Sequence, residues 1–159
     1  TNSVKSIKIS TLREGVSFFP YNENGLINFN DLDFEEKKEL NNNKQKLKQR
    51  SLQNQQWYEY ARTQGIRDTF KLRICFSNII SEKAKLKICL AEKGVLVYSG
   101  YYMVIESKKE YFEIKEIIES DDFYIYSKIL NKQKNGKYYF VTTKDIDKFI
   151  KYKRGIKND

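Results

Sequence analysis

Two stretches in the middle of the chain alternate apolar and polar side chains, and this alternation most narrows the folds open to the sequence. Residues 71–80 (KLRICFSNII) and 85–90 (KLKICL) place an apolar side chain at every second position. Successive side chains of a β-strand point to opposite faces of a sheet, so this spacing predicts two half-buried strands. The apolar face of such strands has to be covered by helices or by a second sheet.

Capping residues predict helices on either side of this central stretch. Asp33 followed by Glu36 has the pattern of a capping box, which predicts a helix that runs to about Ser51. Thr142 with Asp145 predicts a last helix in the same way.

Helical spacing and turn residues account for most of the remaining chain. The isoleucines of residues 110–119 share one helical stripe, and Asp121-Asp122 is expected to cap a second short helix. Turns are expected at Pro20 and at Asn24-Gly25. Further strands are predicted at residues 4–10, at residues 95–105 with a bend at Ser99-Gly100, and at residues 138–142.

These elements predict a single domain of the α+β class, with a mixed or antiparallel sheet and flanking helices. The domain is expected to span residues 1–150, and residues 151–159 are expected to form a basic tail. A length of 159 residues is ordinary for one domain.

The charge of the chain favours a polyanionic partner. Lysine and arginine number 30 against 21 aspartates and glutamates, which gives a net charge of +9. The excess comes from residues 41–105 and 127–159, whereas residues 106–126 are acidic. Such an excess is typical of proteins that bind DNA, RNA or an anionic membrane surface. No apolar run approaches the roughly 20 residues that a membrane span requires, so no spanning segment is expected. Nucleic acid rather than a membrane is the predicted partner.

The sequence has no histidine, which excludes several kinds of chemistry. Ser-His-Asp and Cys-His mechanisms lack their base, and no glycine-rich phosphate-binding motif is present. Cys75 and Cys89 are the only cysteines, too few for a structural zinc site. They are expected to be reduced thiols in the strands of a cytoplasmic protein. No catalytic residue and no metal ligand is therefore predicted.

Six short motifs follow one another between residues 15 and 150. They are SFFPY at 17–21, LKQR at 47–50, Trp57-Tyr58 with Arg62 and Gln64, Arg73-Ile74, Gly100-Tyr101-Tyr102, and Gly136-Lys137-Tyr138-Tyr139-Phe140 running on to Ile146. This order resembles the C-terminal target recognition domain of adenine-N6 DNA methyltransferases from restriction–modification systems. The chain departs from that pattern at Ala61 and at Lys137, where the family often has glycine.

The resemblance implies a fragment that reads DNA and does not itself methylate it. Methyl transfer in that family uses an Asn/Asp-Pro-Pro-Tyr/Phe motif and a Phe-x-Gly-x-Gly loop, and this chain has neither. The catalytic methyltransferase domain is expected N-terminal to this fragment in a parent chain, and the start at Thr1 agrees with this expectation. S-adenosylmethionine and the flipped adenine would bind that domain, so no cofactor is expected in this chain. The implied partners are double-stranded DNA and the N-terminal methyltransferase domain.

The segment WYEYARTQGIRD at residues 57–68 contains the candidates for base contacts, which are Arg62, Thr63 and Gln64. Arginine can donate two hydrogen bonds to guanine O6 and N7, and glutamine can pair with adenine N6 and N7. Gly65 would let the backbone turn sharply close to the duplex.

The other residues of this segment are expected to support the loop. Trp57 and Tyr58 would anchor it to the sheet, with Trp57 in the core. An alternative for Arg62 is a structural one, in which it pairs with Glu59 and orders the loop.

Basic and aromatic residues on both sides of this segment are candidates for phosphate contacts. Such contacts set affinity and register but carry no sequence information. For the residues at 44–50, the alternative is a solvated helix face. For those at 132–138, the alternative is a simple hairpin. The candidates are Lys44, Lys46, Lys48, Arg50, Arg67, Lys132, Lys134, Lys137 and Tyr138.

Two other functions fit parts of the sequence. A basic, tyrosine-rich α+β domain could act alone as a module that binds single-stranded nucleic acid or a protein. A metal-dependent nuclease is a further alternative, because Glu113 precedes Lys115 and Glu106 precedes Lys108 by two residues. Such a site needs another acidic residue on a neighbouring strand to hold Mg²⁺.

Overall fold

The computed structural model describes residues 2–50, 55–130, 132–134 and 136–156, without the side chain of Lys134. In this part of the chain it shows four α-helices and several small sheets, so the predicted α+β class is confirmed. The sheets are partly antiparallel and partly mixed, which also agrees with the prediction.

An antiparallel sheet lies at the centre of the fold. Its strand order is β7-β5-β9, with β5 in the middle. The strands are β5 (Arg73–Phe76), β7 (Ile88–Ala91) and β9 (Tyr101–Val104). All four residues of β5 are buried, so the prediction of a half-buried strand is wrong for β5. Layers pack against both of its faces, with Ile74 and Phe76 on the helical side and Cys75 on the other.

A mixed sheet covers the second face of β5. Its strand order is β2-β1-β8, with β1 antiparallel to β2 and parallel to β8. The strands are β1 (Ser3–Lys8), β2 (Arg13–Phe18) and β8 (Leu96–Tyr98). Ile7 and Ile9 pack against Cys75 and Ala91 in the layer between the two sheets.

Two smaller sheets complete the strands of the described chain. A third sheet has the antiparallel order β10-β11-β6, and β3 and β4 form a short pair around the predicted Asn24-Gly25 turn. The strands are β3 (Tyr21–Asn22), β4 (Gly25–Leu26), β6 (Ile79–Ser81), β10 (Gln133–Lys134) and β11 (Tyr138–Phe140).

The two cysteines face each other across neighbouring strands as free thiols. Cys75 in β5 is opposite Cys89 in β7, which confirms the prediction of thiols in strands. A hydrogen bond with Cys89, together with burial, raises the pKa of Cys75 above its usual range. The Cys75 thiol is therefore protonated and inert at neutral pH.

Helices cover the first face of the central sheet and one end of the mixed sheet. They are α1 (Phe34–Lys48), α2 (Lys108–Glu119), α3 (Asp121–Ile129) and α4 (Thr143–Lys153). Helices α2, α3 and α4 supply Ile114, Phe123 and Ile146 to the main core, where each is at most 1% exposed. Helix α1 packs through Leu40 into a separate cluster with Leu32 and Tyr58.

The helix starts follow their capping residues closely. Both predicted capping boxes, Asp33 with Glu36 and Thr142 with Asp145, are present. The prediction that Asp121-Asp122 caps α3 is wrong, because the Ser120 hydroxyl accepts the amide hydrogen of Phe123. The two aspartates lie in the first turn, where they face the positive end of the helix. Helix α1 ends at Lys48, a little before the predicted end, and α4 runs on to Lys153.

The capping residue Asp145 also joins α4 to the segment before β10. Its carboxylate accepts hydrogen bonds from Lys132 Nζ at 2.7 Å and from the Thr142 hydroxyl at 2.7 Å and amide at 2.9 Å. Burial raises the pKa of Asp145, but these hydrogen bonds outweigh it, and the pKa lies below its ordinary value. Ionised Asp145 therefore stabilises the folded state.

We expect Asp145→Asn to lower the free energy of unfolding at pH 7 by about 1–2 kcal/mol, because it removes the charge that Lys132 and Thr142 bind. Because the folded-state pKa is depressed, this stabilisation is complete above the unfolded-state pKa near 4 and is lost as the pH falls through the folded-state value. Urea unfolding of both proteins between neutral and acidic pH measures the difference.

The matched control for this comparison is Asp147→Asn in the same helix. Asp147 forms an exposed pair with Lys151 at 3.0 Å, and such pairs contribute little. A loss for Asp147→Asn as large as that for Asp145→Asn, or a loss for Asp145→Asn that does not shrink in acid, would contradict the role given to Asp145.

Candidate functional site: the loop at residues 57–68 and its cleft

The segment WYEYARTQGIRD divides into an anchored half and an exposed half. Tyr58 in the first half is 6% exposed, and its hydroxyl donates to the carbonyl oxygen of Ile27 at 2.8 Å. Trp57 is half-buried against Phe29, with 5.4 Å between the ring centroids. These aromatic residues do anchor the loop, but they hold it to the cluster around α1 rather than to the central sheet.

Tyr60 completes the anchored half. Its hydroxyl donates to the carbonyl oxygen of Phe18, and its backbone amide donates to the hydroxyl oxygen of Tyr21 at 2.8 Å. Burial, with a smaller contribution from Tyr21, raises the pKa of Tyr60 to about 12. The phenol therefore stays protonated at physiological pH and keeps its donor. Three aromatic side chains in four residues thus fix the start of the loop to the backbone around it.

The loop turns at Gly65 against the side chain of Tyr102. Gly65 has a φ of 82°, and a Cβ there would collide with the Tyr102 hydroxyl. That hydroxyl donates to Asp68 Oδ2 at 3.0 Å, which closes the turn onto β9. A hydrogen bond from Lys71 lowers the pKa of Asp68 below its ordinary value, so the carboxylate that accepts the hydrogen bond from Tyr102 is ionised at neutral pH.

The exposed half presents the three candidates for base contacts. Arg62, Thr63 and Gln64 are all exposed. Among the described residues, none hydrogen-bonds to the Arg62 or Gln64 side chain or forms an ion pair with Arg62. The alternative in which Arg62 pairs with an internal acid such as Glu59 has no such ion pair among the described residues, and the Glu59 carboxylate accepts the amide hydrogen of Gln56. The donors of Arg62 and Gln64 therefore face solvent on a fixed backbone.

This loop forms one wall of a cleft of about 550 Å³, and we call it the loop cleft. The opposite wall comes from β8 and the start of β9. Gly100 lets this wall pack closely on the core beneath it, because a Cβ there would lie 2.6 Å from Ile9 and 2.8 Å from the Phe76 carbonyl oxygen. The lining residues are Ser17, Tyr60, Arg62, Gln64, Gly65, Ile66, Thr69, Arg73, Leu96, Val97, Tyr98, Gly100 and Tyr102.

Arg73 lies at the bottom of the loop cleft and is 1% exposed. Its Nη2 donates to the carbonyl oxygens of Val95 and of Thr69, the latter at 3.4 Å, and its Nε donates to that of Lys71 at 3.3 Å. The guanidinium carbon lies 5.6 Å from the centre of the Tyr102 ring. Burial lowers the pKa of Arg73 from its usual range, but arginine stays charged.

The candidates for phosphate contacts on α1 have different surroundings. Lys46 and Lys48 are exposed, and neither has a side-chain partner within the described ranges. Lys44 lies over the Trp57 ring, with Nζ 5.1 Å from its centre. Arg50 donates to the carbonyl oxygens of Leu47 at 3.0 Å and of Trp57 at 2.8 Å. Arg50 therefore ties the end of α1 to the start of the loop.

Some of the remaining candidates are exposed without a partner, and others are bound within the fold. Arg67, Lys137 and Tyr138 are exposed, and Arg67 and Lys137 have no side-chain partner among the residues described. Lys132 is bound to Asp145, so its ammonium group is used inside the fold. The Lys134 side chain lies outside the described part of the structure. The assignments to phosphate contacts stay predictions.

Several side chains that line the loop cleft were not predicted from the sequence. Tyr98 and Tyr102 come from strands that are distant in sequence from the loop, whereas Arg73 begins β5 shortly after the loop ends. Tyr102 belongs to the Gly-Tyr-Tyr motif, which signalled a turn but not its contact with Gly65. Arg73 was expected on the polar face of a half-buried strand, and only the packing of β1 and β8 over β5 shows its burial.

The residues considered for a nuclease do not form a metal site in the structure. Glu113 lies in α2, and Arg154 Nε donates to its carboxylate at 3.2 Å. Within the described ranges, no three side chains of histidine, cysteine, aspartate or glutamate are grouped so that they could hold a metal ion.

No helix of the described residues is long and apolar enough to cross a membrane. Comparison with models of protein families, with curated proteins and with solved structures finds no match.

We expect Gly65→Ala to lower the free energy of unfolding by about 2–3 kcal/mol, because it combines an unfavourable φ with the collision against Tyr102. Gly94→Ala is the matched control, since Gly94 has a φ of 80° and no atom within 4 Å of its Cβ position. It should cost only about 1 kcal/mol. Equal losses for the two variants in thermal or urea unfolding would contradict the packing of the turn on Tyr102.

A second comparison isolates the collision itself. In a Tyr102→Phe background the hydroxyl oxygen is absent, so Gly65→Ala should cost about 1 kcal/mol less than in the wild-type chain. Strictly additive losses in this double-mutant cycle would show that the Tyr102 hydroxyl does not limit the turn.

Proposed function

We propose that this domain recognises a specific sequence in double-stranded DNA through the exposed half of the loop. The observation that supports this most is the state of Arg62 and Gln64. Both side chains are exposed, and neither has a partner among the described residues. Their backbone is held by the tyrosine anchors on one side and by the turn at Gly65 on the other. A backbone that is already held loses little conformational entropy on binding, which favours discrimination between ligands.

The chemistry of the three exposed side chains fits base edges in the major groove. Arg62 would donate two hydrogen bonds to guanine, and Gln64 would pair with adenine. Thr63 between them can donate to or accept from a base and can contact a thymine methyl group.

Phosphate contacts in this proposal come from the exposed cations without an internal partner. These are Lys46, Lys48, Arg67 and Lys137, with Lys44 beside Trp57 and Tyr138 next to the hairpin. Arg50 and Lys132 contribute less, because their donors already bind groups within the fold. A net charge of +9 supports a polyanionic partner and predicts strong salt dependence of the affinity.

The proposal extends to a parent enzyme through the resemblance of the motifs. In that enzyme, an adenine-N6 DNA methyltransferase of a restriction–modification system, an N-terminal domain would bind S-adenosylmethionine and the flipped adenine. This domain would hold the target site in register and would not act as an enzyme by itself. The alternative is a module that binds single strands, and the half-exposed Tyr98 in the loop cleft favours it.

We expect Arg62→Ala to weaken binding to the preferred duplex by roughly 10- to 100-fold, because a base-edge contact of this kind is worth about 1–3 kcal/mol. Binding to random duplex should change by less than about threefold, because a base contact matters only where its base is present. Selection from a randomised duplex library identifies the preferred site, and fluorescence anisotropy then measures both affinities.

Arg13→Ala is the control for the loss of one positive charge, because Arg13 is an exposed arginine in β2 outside the loop. Equal losses on preferred and random duplex for Arg62→Ala would assign Arg62 to phosphate instead. A library that yields no preferred duplex would contradict sequence-specific recognition.

We expect Lys46→Ala to weaken binding to both duplexes alike and to reduce the slope of log affinity against log salt by about one unit. The reason is the loss of a phosphate contact, which is independent of sequence. Lys38→Ala in the same helix is the control, since Lys38 lies 4.0 Å from Glu35 and already faces an acidic neighbour. Titrations at several salt concentrations give the slopes, and an unchanged slope for Lys46→Ala would remove Lys46 from the interface.

A further inference from the structure

We propose that the loop cleft binds one nucleotide, with its phosphate between Arg62 and Arg73 and its base against Tyr98. This site shares Arg62 with the proposed reading of base edges in a duplex, but it takes a different ligand and does not require that reading. The inference rests on the charge, the shape and the aromatic wall of the cleft.

The first observation is a buried arginine that has no direct ion pair and one free donor. Arg73 is 1% exposed, and no carboxylate of the described residues lies within ion-pair distance of it. Carbonyl oxygens bind its Nε and Nη2, while Nη1 has no hydrogen-bond partner in the part of the chain that is described. Asp68 attracts Arg73 only from beyond ion-pair distance, and a bound anion would add a direct partner for the Nη1 donor.

The second observation is the composition of the cleft wall. Two arginines and no acidic residue are among the described residues that line it. Asp68, the nearest acidic residue to this wall along the loop, is bound by Lys71 at 2.8 Å and by the Tyr102 hydroxyl at 3.0 Å. Arg62 has no internal partner, so its guanidinium can turn towards the same anion as Arg73. Two guanidinium groups match a phosphate, which accepts paired hydrogen bonds from each.

The third observation is an aromatic and apolar surface beside these charges. Tyr98 is 50% exposed at the end of β8, next to Leu96 and Val97 in the lining. An exposed tyrosine ring is a platform on which any base can stack. The cleft volume of about 550 Å³ lies within the range of sites for small ligands and cofactors. A simple inorganic anion would leave this surface uncovered, whereas a nucleotide covers it.

Calorimetric titration of the whole chain with adenosine 5′-monophosphate, inorganic phosphate and adenosine tests the proposal. We expect the nucleotide to bind at least about tenfold more tightly than phosphate or adenosine, because it occupies both halves of the cleft. A four-nucleotide single strand with a 5′-phosphate forms a second arm. Tighter binding of the strand identifies the nucleotide as part of a chain, and equal or weaker binding identifies a free nucleotide.

Variants assign the two halves of the site. Arg62→Gln should weaken the nucleotide and inorganic phosphate alike, by about tenfold. Tyr98→Ala should weaken the nucleotide by about tenfold and leave phosphate unchanged, because only the base stacks. Arg13→Gln is the matched control, since Arg13 is an exposed arginine in β2 outside the lining, and it should change neither affinity.

Arg73→Lys keeps the buried charge but removes the planar fork, and circular dichroism shows whether it folds. A folded Arg73→Lys protein should bind the nucleotide at least about fivefold more weakly. If it does not fold, Arg62→Gln and Tyr98→Ala provide the test, because neither substitution removes a buried contact. Tyr98 is half exposed, and Arg62 is exposed without a partner among the described residues. No saturable binding of the nucleotide, or affinities unchanged by both of these variants, would overturn the site.

The outcome is distinguishable from that of duplex recognition. Nucleotide binding with no preferred duplex would support the cleft and contradict the proposed function. A preferred duplex that requires Arg62, with no binding of nucleotide or single strand, would support the proposed function and overturn the cleft.

Discussion

Burial of β5 on both faces is the constraint on which the rest of the structure depends. Ile74 and Phe76 pack under the three C-terminal helices, and Cys75 packs under the mixed sheet. A strand of four residues thereby joins two layers that would otherwise have no common core. Because β9 pairs directly with β5, the position of Tyr102 is fixed by the same packing. The turn of the loop rests on that tyrosine, so the geometry of the candidate site derives from the centre of the fold.

Local features of the fold were predictable because they depend on residues close in sequence. Capping boxes at Asp33 and Thr142 involve side chains only three positions from their partners, and both are present. The error at α3 is also local. Ser120 and Asp121 are both good capping residues, and the sequence does not show which of them is the cap. The α+β class follows from these local patterns taken together.

Long-range packing explains what the sequence did not reveal. Alternation in residues 71–80 marks a strand but does not tell how many of its faces are covered, so the burial of Arg73 was not foreseen. The exposed half of the loop was predictable, since arginine, threonine and glutamine beside a glycine are typical of surface turns. Its neighbours across the cleft were not, because Tyr98 and Tyr102 reach it through pairing between strands that are far apart in sequence.

The anchors of the loop have a consequence for how such a domain can diversify. Tyr58 and Tyr60 donate to carbonyl oxygens of the backbone, at Ile27 and Phe18, and these acceptors are present whatever side chain those positions carry. Substitution in the exposed half leaves these bonds intact, because none of them involves residues 62–64. Mutation can therefore alter the displayed side chains while the support stays constant. If residues 62–64 make the proposed base contacts, substitution at these three positions would change the ligand preference without first lowering the stability of the fold.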